Sequence, residues 1–198
     1  MNLVAVVDAP VPGFRTVAVA GVTAVVEDAL PDGPADVLRH GAAVDRVFAS
    51  CAAVLPARAG TRLPDESAVR SWLEQEHVRL ERALDRVRGR AEIALTWHAD
   101  ETAALPSGSG TDYLQALAAR AALARDATDQ LEMVRGLPEV SAVRTLARTS
   151  TAVKASVLVS RDDAESVRAH LATMGSPSGR WTATGPYPPY SFAEGDWA

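Results

Sequence analysis

Residues 91–98 read Ala91-Glu92-Ile93-Ala94-Leu95-Thr96-Trp97-His98. On an extended chain Ala91, Ile93, Leu95 and Trp97 share one side, and Glu92, Ala94, Thr96 and His98 share the other. A period of two marks a strand with one face buried. The stretch 100–110 contains Pro106 and Ser107-Gly108-Ser109-Gly110, a loop. From 112 to 135 the residues Leu114, Leu117, Ala121, Ala124, Thr128 and Leu131 recur at alternating steps of three and four, a coiled-coil-like helical seam lined mostly by small residues. Two more strands follow, 140–149 and 152–160; the second sets Val153, Ala155, Val157 and Val159 on one face. Ser160 and Asp163 have capping-box spacing. They open a helix striped by Ala164, Val167, Leu171 and Met174. After a loop at 175–179, residues 180–184 form a last strand. From Gly89 to Thr184 the order is therefore β-α-β-β-α-β, the ferredoxin-like split βαβ pattern.

Upstream of this module lies a long amphipathic helix, 64–88. Pro64, Asp65 and Glu66 place a helix-compatible proline and negative charge at its N-terminus. Val69, Leu73, Leu80, Leu84 and Val87 form its apolar face, with Trp72, Glu76 and Ala83 at the margins, and Gly89 terminates it. Residues 1–63 read as a smaller α+β unit. Strands at 2–8, 14–20 and 22–27 are expected to form a meander. A helix over 34–50 has apolar positions Val37, Leu38, Val44, Val47 and Phe48, and a short strand covers 52–57. The expected class is α+β in two modules: an N-terminal meander-and-helix domain (1–63), a connecting helix (64–88) and a C-terminal ferredoxin-like domain carrying a proline-aromatic tail (89–198).

Composition narrows the function. The chain has 198 residues, 47% apolar and 23% charged, and a net charge of −5. It is globular in character, and no run approaches the ~18 apolar residues of a membrane-spanning helix. All its basic residues but Lys154 are arginine. Without a basic block it lacks the charge that drives nucleic-acid binding. Cys51 is the only cysteine, so no intrachain disulfide forms, which fits a reducing cytoplasm. No secretory leader is read at residues 1–10.

Catalytic and metal chemistry find little support. His40, His77, His98 and His170 share no metal-ligand spacing with each other or with Cys51. Asp162 and Asp163 suit a helix N-terminus. The Ser107–Gly110 run lacks the lysine and spacing of a phosphate loop. His98 and Asp100, next to Trp97, are the one pair around which an enzyme site is conceivable; it would need a nucleophile or substrate beside it.

Two stretches invite a binding role. Leu55-Pro56-Ala57-Arg58-Ala59-Gly60-Thr61 carries an apolar strand into a turn, with Gly60 free to take positive φ. In Gly185-Pro186-Tyr187-Pro188-Pro189-Tyr190-Ser191-Phe192 the prolines oppose a helix or a central strand. A polyproline II course would set Tyr187 and Tyr190 on one face. Cis bonds are open at Tyr187–Pro188 and Pro188–Pro189. Such an end either seals the sheet or offers a stiff aromatic patch to an apolar partner.

In this order the stretches resemble the gas vesicle protein F and L family. The 185–192 octet after a last strand is similar to that family's C-terminal signature, and the 55–61 turn to its internal motif. The 64–89 helix, Gly110 with Tyr113-Leu114, and the strand from Val153 to Val159 hold comparable places. The sequence departs at Tyr187, where the family commonly carries Trp, and at Ala59, where it commonly carries Phe.

The resemblance implies a non-enzymatic accessory protein of gas vesicle assembly, without metal or cofactor. It would be cytoplasmic and associated with gas vesicles. It would bind the hydrophobic shell protein, gas vesicle protein A, and other accessory proteins, and support nucleation or growth of the vesicle. The expected contact residues are Tyr187, Pro188, Pro189, Tyr190 and Phe192, then Arg58 and Thr61. The alternatives are a small ferredoxin-like enzyme, of monooxygenase or isomerase type, near Trp97, His98 and Asp100, or a ligand-sensing or self-associating module.

Overall fold

The computed structural model describes residues 1–28, 33–99, 110–148, 152–176 and 179–193. The elements in chain order begin with β1 (Asn2–Val7), β2 (Arg15–Val19), β3 (Val22–Glu27), α1 (Pro34–Ser50), β4 (Val54–Pro56) and α2 (Glu66–Val87). There follow β5 (Arg90–Ala99), α3 (Gly110–Arg135), β6 (Val140–Arg148), β7 (Ala152–Ser160), α4 (Ala164–Thr173), β8 (Gly175–Ser176), β9 (Gly179–Tyr187) and α5 (Tyr190–Ala193). They form two compact units. One joins Met1–Ala91 to Tyr187–Ala198; the other is Glu92–Pro186.

The first unit is built on a four-stranded sheet of order β2-β3-β1-β4. The expected meander is corrected here. β2 and β3 form a hairpin, but β3 then pairs with β1, so β1 and β2 are not neighbours. The two-residue turn, Ala20-Gly21, has φ of 50° and 91°. Positive φ at both central residues belongs to the type I′ turn, whose twist suits a tight hairpin. Every residue of β1 is buried, because the sheet is covered on both faces. Leu3 and Val6 join a core with Val69, Leu73, Leu80 and Leu84 of α2. Val4, Ala5 and Val7 join a separate core with Ala43, Val44 and Val47 of α1. Val4 and Ala5 face the same side because the pairing slips between Leu3 and Ala5, as a β-bulge allows. A strand buried on both faces reads as a continuous apolar run, which is what residues 3–7 are.

Helix α2 starts where the sequence places it. The Asp65 carboxylate accepts the Ala68 N–H at 2.8 Å, and Gly89 after the helix takes φ of 66°. Its apolar face lies on the first sheet, so the helix is part of the first unit. Each buried leucine or valine there contributes about 1.5–3 kcal/mol. Arg88, just past the helix, bonds Asp85 at 3.1 Å and pairs with Asp8 beyond β1. The Asp85 hydrogen bond foremost, with Asp8, pushes its guanidinium pKa up. On α1, the sequence pattern placed Val37 and Leu38 inward; both are exposed.

The second unit contains a five-stranded sheet of order β6-β7-β5-β9-β8. With α3 and α4 in the connections, this is the interleaved order of the ferredoxin-like split βαβ. Ile93, Leu95 and Trp97 are buried, as are Val153, Ala155, Val157, Val159, Trp181 and Ala183 at alternate positions of their strands. Ala127, Leu131 and Val134 of α3 and Ala164, Val167 and Leu171 of α4 supply the buried helical positions. Trp97 and Trp181 meet edge to face with centroids 5.2 Å apart. Gly179 makes room for them: a Cβ there would lie 2.6 Å from the Trp97 ring and 2.5 Å from the His98 carbonyl oxygen.

Three local expectations change in this unit. Leu114, Leu117 and Ala121 of the α3 seam are exposed, and among the described residues of the helix the buried ones, Ala127, Leu131 and Val134, lie in its C-terminal part. The Ser160–Asp163 capping box does not form; Ser160 Oγ accepts the Asp162 N–H at 3.3 Å, and the N-cap Asp163 makes no side-chain cap bond. Glu92, assigned by period to the open face, is buried and accepts a 2.6 Å hydrogen bond from Ser156 Oγ.

Candidate partner-binding surface

The 55–61 stretch is organised around β4, which pairs antiparallel with β1. Leu55 and Ala57 enter the core facing α2. The Ala57 N–H donates to the Val4 carbonyl at 3.0 Å. The buried His40 ring of α1 donates from Nε2 to the Ala57 carbonyl at 2.9 Å. Residues 58–61 then turn: the Thr61 N–H donates to the Arg58 carbonyl at 3.1 Å, and Thr61 Oγ1 donates to the same oxygen at 2.8 Å. Gly60 has φ of 88°, the positive value a type II turn needs at its third residue. The Thr61 carbonyl accepts the Leu3 N–H at 2.9 Å, which ties the turn's end back to β1. Thr61 thus serves the turn with both backbone and hydroxyl, while Arg58 is exposed.

The C-terminal octet differs from a free polyproline course. β9 runs to Tyr187, and β8 pairs with it only at Gly179 and Arg180. The cis bond is Gly185–Pro186 rather than either expected position. A one-turn helix, α5, follows Pro189, whose carbonyl accepts the Phe192 and Ala193 N–H groups at 3.1 and 3.0 Å. Prolines ahead of a helix cost it nothing, since the first helical N–H groups have no intrahelical acceptor.

The 55–61 turn and residues 187–193 meet in the first unit. α5 packs against β4. Ala193 belongs to the same core as Ala53, Leu55 and Ala57, and Phe192 packs partly buried against it. Pro188 and Pro189 are buried. Tyr187 and Tyr190 remain 43% and 37% exposed. Pro188, Pro189 and Phe192, with Ala193 just after the octet, anchor the segment, and the two tyrosines present their rings. That the octet ends on β4 had no local signal, because its neighbours lie more than a hundred residues upstream.

The enzyme reading gains nothing. Trp97 is core, His98 is exposed, and Asp100 lies outside the described residues. Among the described residues no group of three or more His, Cys, Asp or Glu could hold a metal ion. Among them, too, no helix is long and apolar enough to cross a membrane.

The fold is that of solved gas vesicle proteins. The crystal structure of GvpF from Anabaena sp. PCC7120 is similar with a TM-score of 0.68 at 14% identity, over 98% of this chain and 94% of that one. GvpF from Microcystis aeruginosa gives a TM-score of 0.69 at 14% identity, over 98% of both chains. No curated protein matches the sequence. The family model for gas vesicle synthesis protein GvpL/GvpF matches residues 7–194; the chain belongs to the GvpL/GvpF family, and its role lies in gas vesicle assembly.

Proposed function

We propose that this protein is a non-catalytic accessory factor that binds the hydrophobic gas vesicle shell protein, gas vesicle protein A, and supports nucleation or growth of the vesicle. One observation supports the reading most: Tyr187 and Tyr190 stand exposed on a segment whose Pro188, Pro189 and Phe192 are anchored in the first unit. Aromatic rings with few rotatable bonds, fixed on a rigid base, lose little entropy on contact and suit an apolar partner. Arg58, exposed in the turn after β4, is the polar member of the same proposed surface. Other accessory gas vesicle proteins are further partners.

The test is capture of purified gas vesicle protein A by the full chain, wild type against Tyr187→Ala/Tyr190→Ala. Binding should fall at least tenfold, with the circular dichroism spectrum unchanged. Undiminished capture by the folded double variant would remove the patch.

A further inference from the structure

Helix α3 presents a second apolar surface, in the other unit. The helix packs against β6 of its own sheet, and Ala127, Leu131 and Val134 of its C-terminal part are buried. Toward its N-terminus, Tyr113, Leu114 and Leu117 are 62%, 64% and 51% exposed. Next along the helix, Ala118, Ala121 and Ala122 are exposed too. No charged residue occurs between 113 and 119. Leu114, Leu117 and Ala121 lie on the seam whose three- and four-residue steps describe a coiled-coil face.

The order of sizes along the face limits what can cover it. Large side chains stand on the N-terminal side and alanines on the C-terminal side. In an antiparallel two-fold pair the same surface meets itself reversed. An a-to-d register centred near position 119 sets Leu117 of one copy against Ala121 of the other, and the reverse. Large then faces small at both ends, and the alanines let the backbones approach.

We propose that α3 is a self-association surface, pairing antiparallel with α3 of a second copy of this chain. Three large side chains about 60% exposed leave on the order of 100 Å² each. With the alanines this comes to roughly 400 Å² per copy, or ~800 Å² in all. Stable dimers bury about 1,200–2,000 Å², so this dimer is of the transient, concentration-dependent class.

Sedimentation velocity from about 10 μM to 1 mM tests it. The weight-average coefficient should climb toward the dimer value at the upper end. Leu117→Glu, at an exposed position, should keep its fold by circular dichroism and stay monomeric. Register is read by cross-linking in a Cys51→Ala background. Leu117→Cys mixed with Ala121→Cys should give several-fold more disulfide dimer than either variant alone. A monomer throughout the range overturns the proposal, as does association that Leu117→Glu leaves intact. Should Leu117→Glu weaken capture of gas vesicle protein A while the wild type stays monomeric, the stripe is a shell-protein surface and the self-pairing is refuted.

Discussion

Replacing Phe192 with alanine separates the anchor of the C-terminal segment from its display. Phe192 packs partly buried on the core that holds Leu55, Ala57 and the α2 face. Full burial of a phenylalanine contributes about 1.5–3 kcal/mol in transfer terms, and truncation adds a cavity cost. Because the ring is only partly covered, about 2 kcal/mol is the expected loss. That multiplies the undocked fraction of the segment by roughly 30. Limited proteolysis reads it directly, since cleavage of a transiently opened segment follows its open population when opening is fast. Phe192→Ala should be cut near its C-terminal end ten- to thirty-fold faster than wild type, and Tyr187→Ala, at an exposed ring, within about twofold. Equal rates for Phe192→Ala and wild type would refute the docking argument. Binding should follow the same division: Phe192→Ala weakens capture of the shell protein by releasing the segment, Tyr187→Ala by removing a contact.

Two further outcomes test the fold. Ala20 has φ of 50° in the β2–β3 turn, a left-handed conformation that costs a Cβ-bearing residue about 1–2 kcal/mol. Ala20→Gly or Ala20→Asn should therefore raise stability by about 0.5–1 kcal/mol in urea denaturation, and a decrease would contradict the type I′ assignment. Gly179→Ala drives a methyl into the Trp97 ring and the His98 carbonyl. Overpacking against backbone should cost about 1–3 kcal/mol or more and change the near-ultraviolet circular dichroism of the Trp97–Trp181 pair; a variant with wild-type stability and spectrum would show that the strands have more room than described.

Patterns with a local cause were legible in the sequence. The two-residue period of β5, the capped apolar face of α2 and the turn glycine at 60 all follow from residues near one another in the chain. What escaped depends on distant partners. Nothing in residues 1–27 states that β3 rather than β2 lies beside β1, because the strands are similarly apolar and pairing order is a property of the sheet. The spacing of the α3 seam is real, but period alone does not say whether a helix has a surface to lie on. Glu92 obeys the alternation of its strand and is nevertheless buried, since its hydrogen-bond donor Ser156 is 64 residues away. The candidate site was half legible. The octet and the turn stand out by composition, whereas their meeting at β4, and the sorting of the octet into anchors and exposed rings, arise only from the fold.

The chain leaves the first unit after Ala91 and comes back to it at Tyr187. During translation, which proceeds from the N-terminus, the opening unit must wait with part of its core uncovered until residues 187–193 have been made. The middle unit, whose sequence is continuous, can be finished by then. Anything that halts the ribosome between codons 187 and 193 would release a product whose apolar flank still lacks the cover that Phe192 and Ala193 supply.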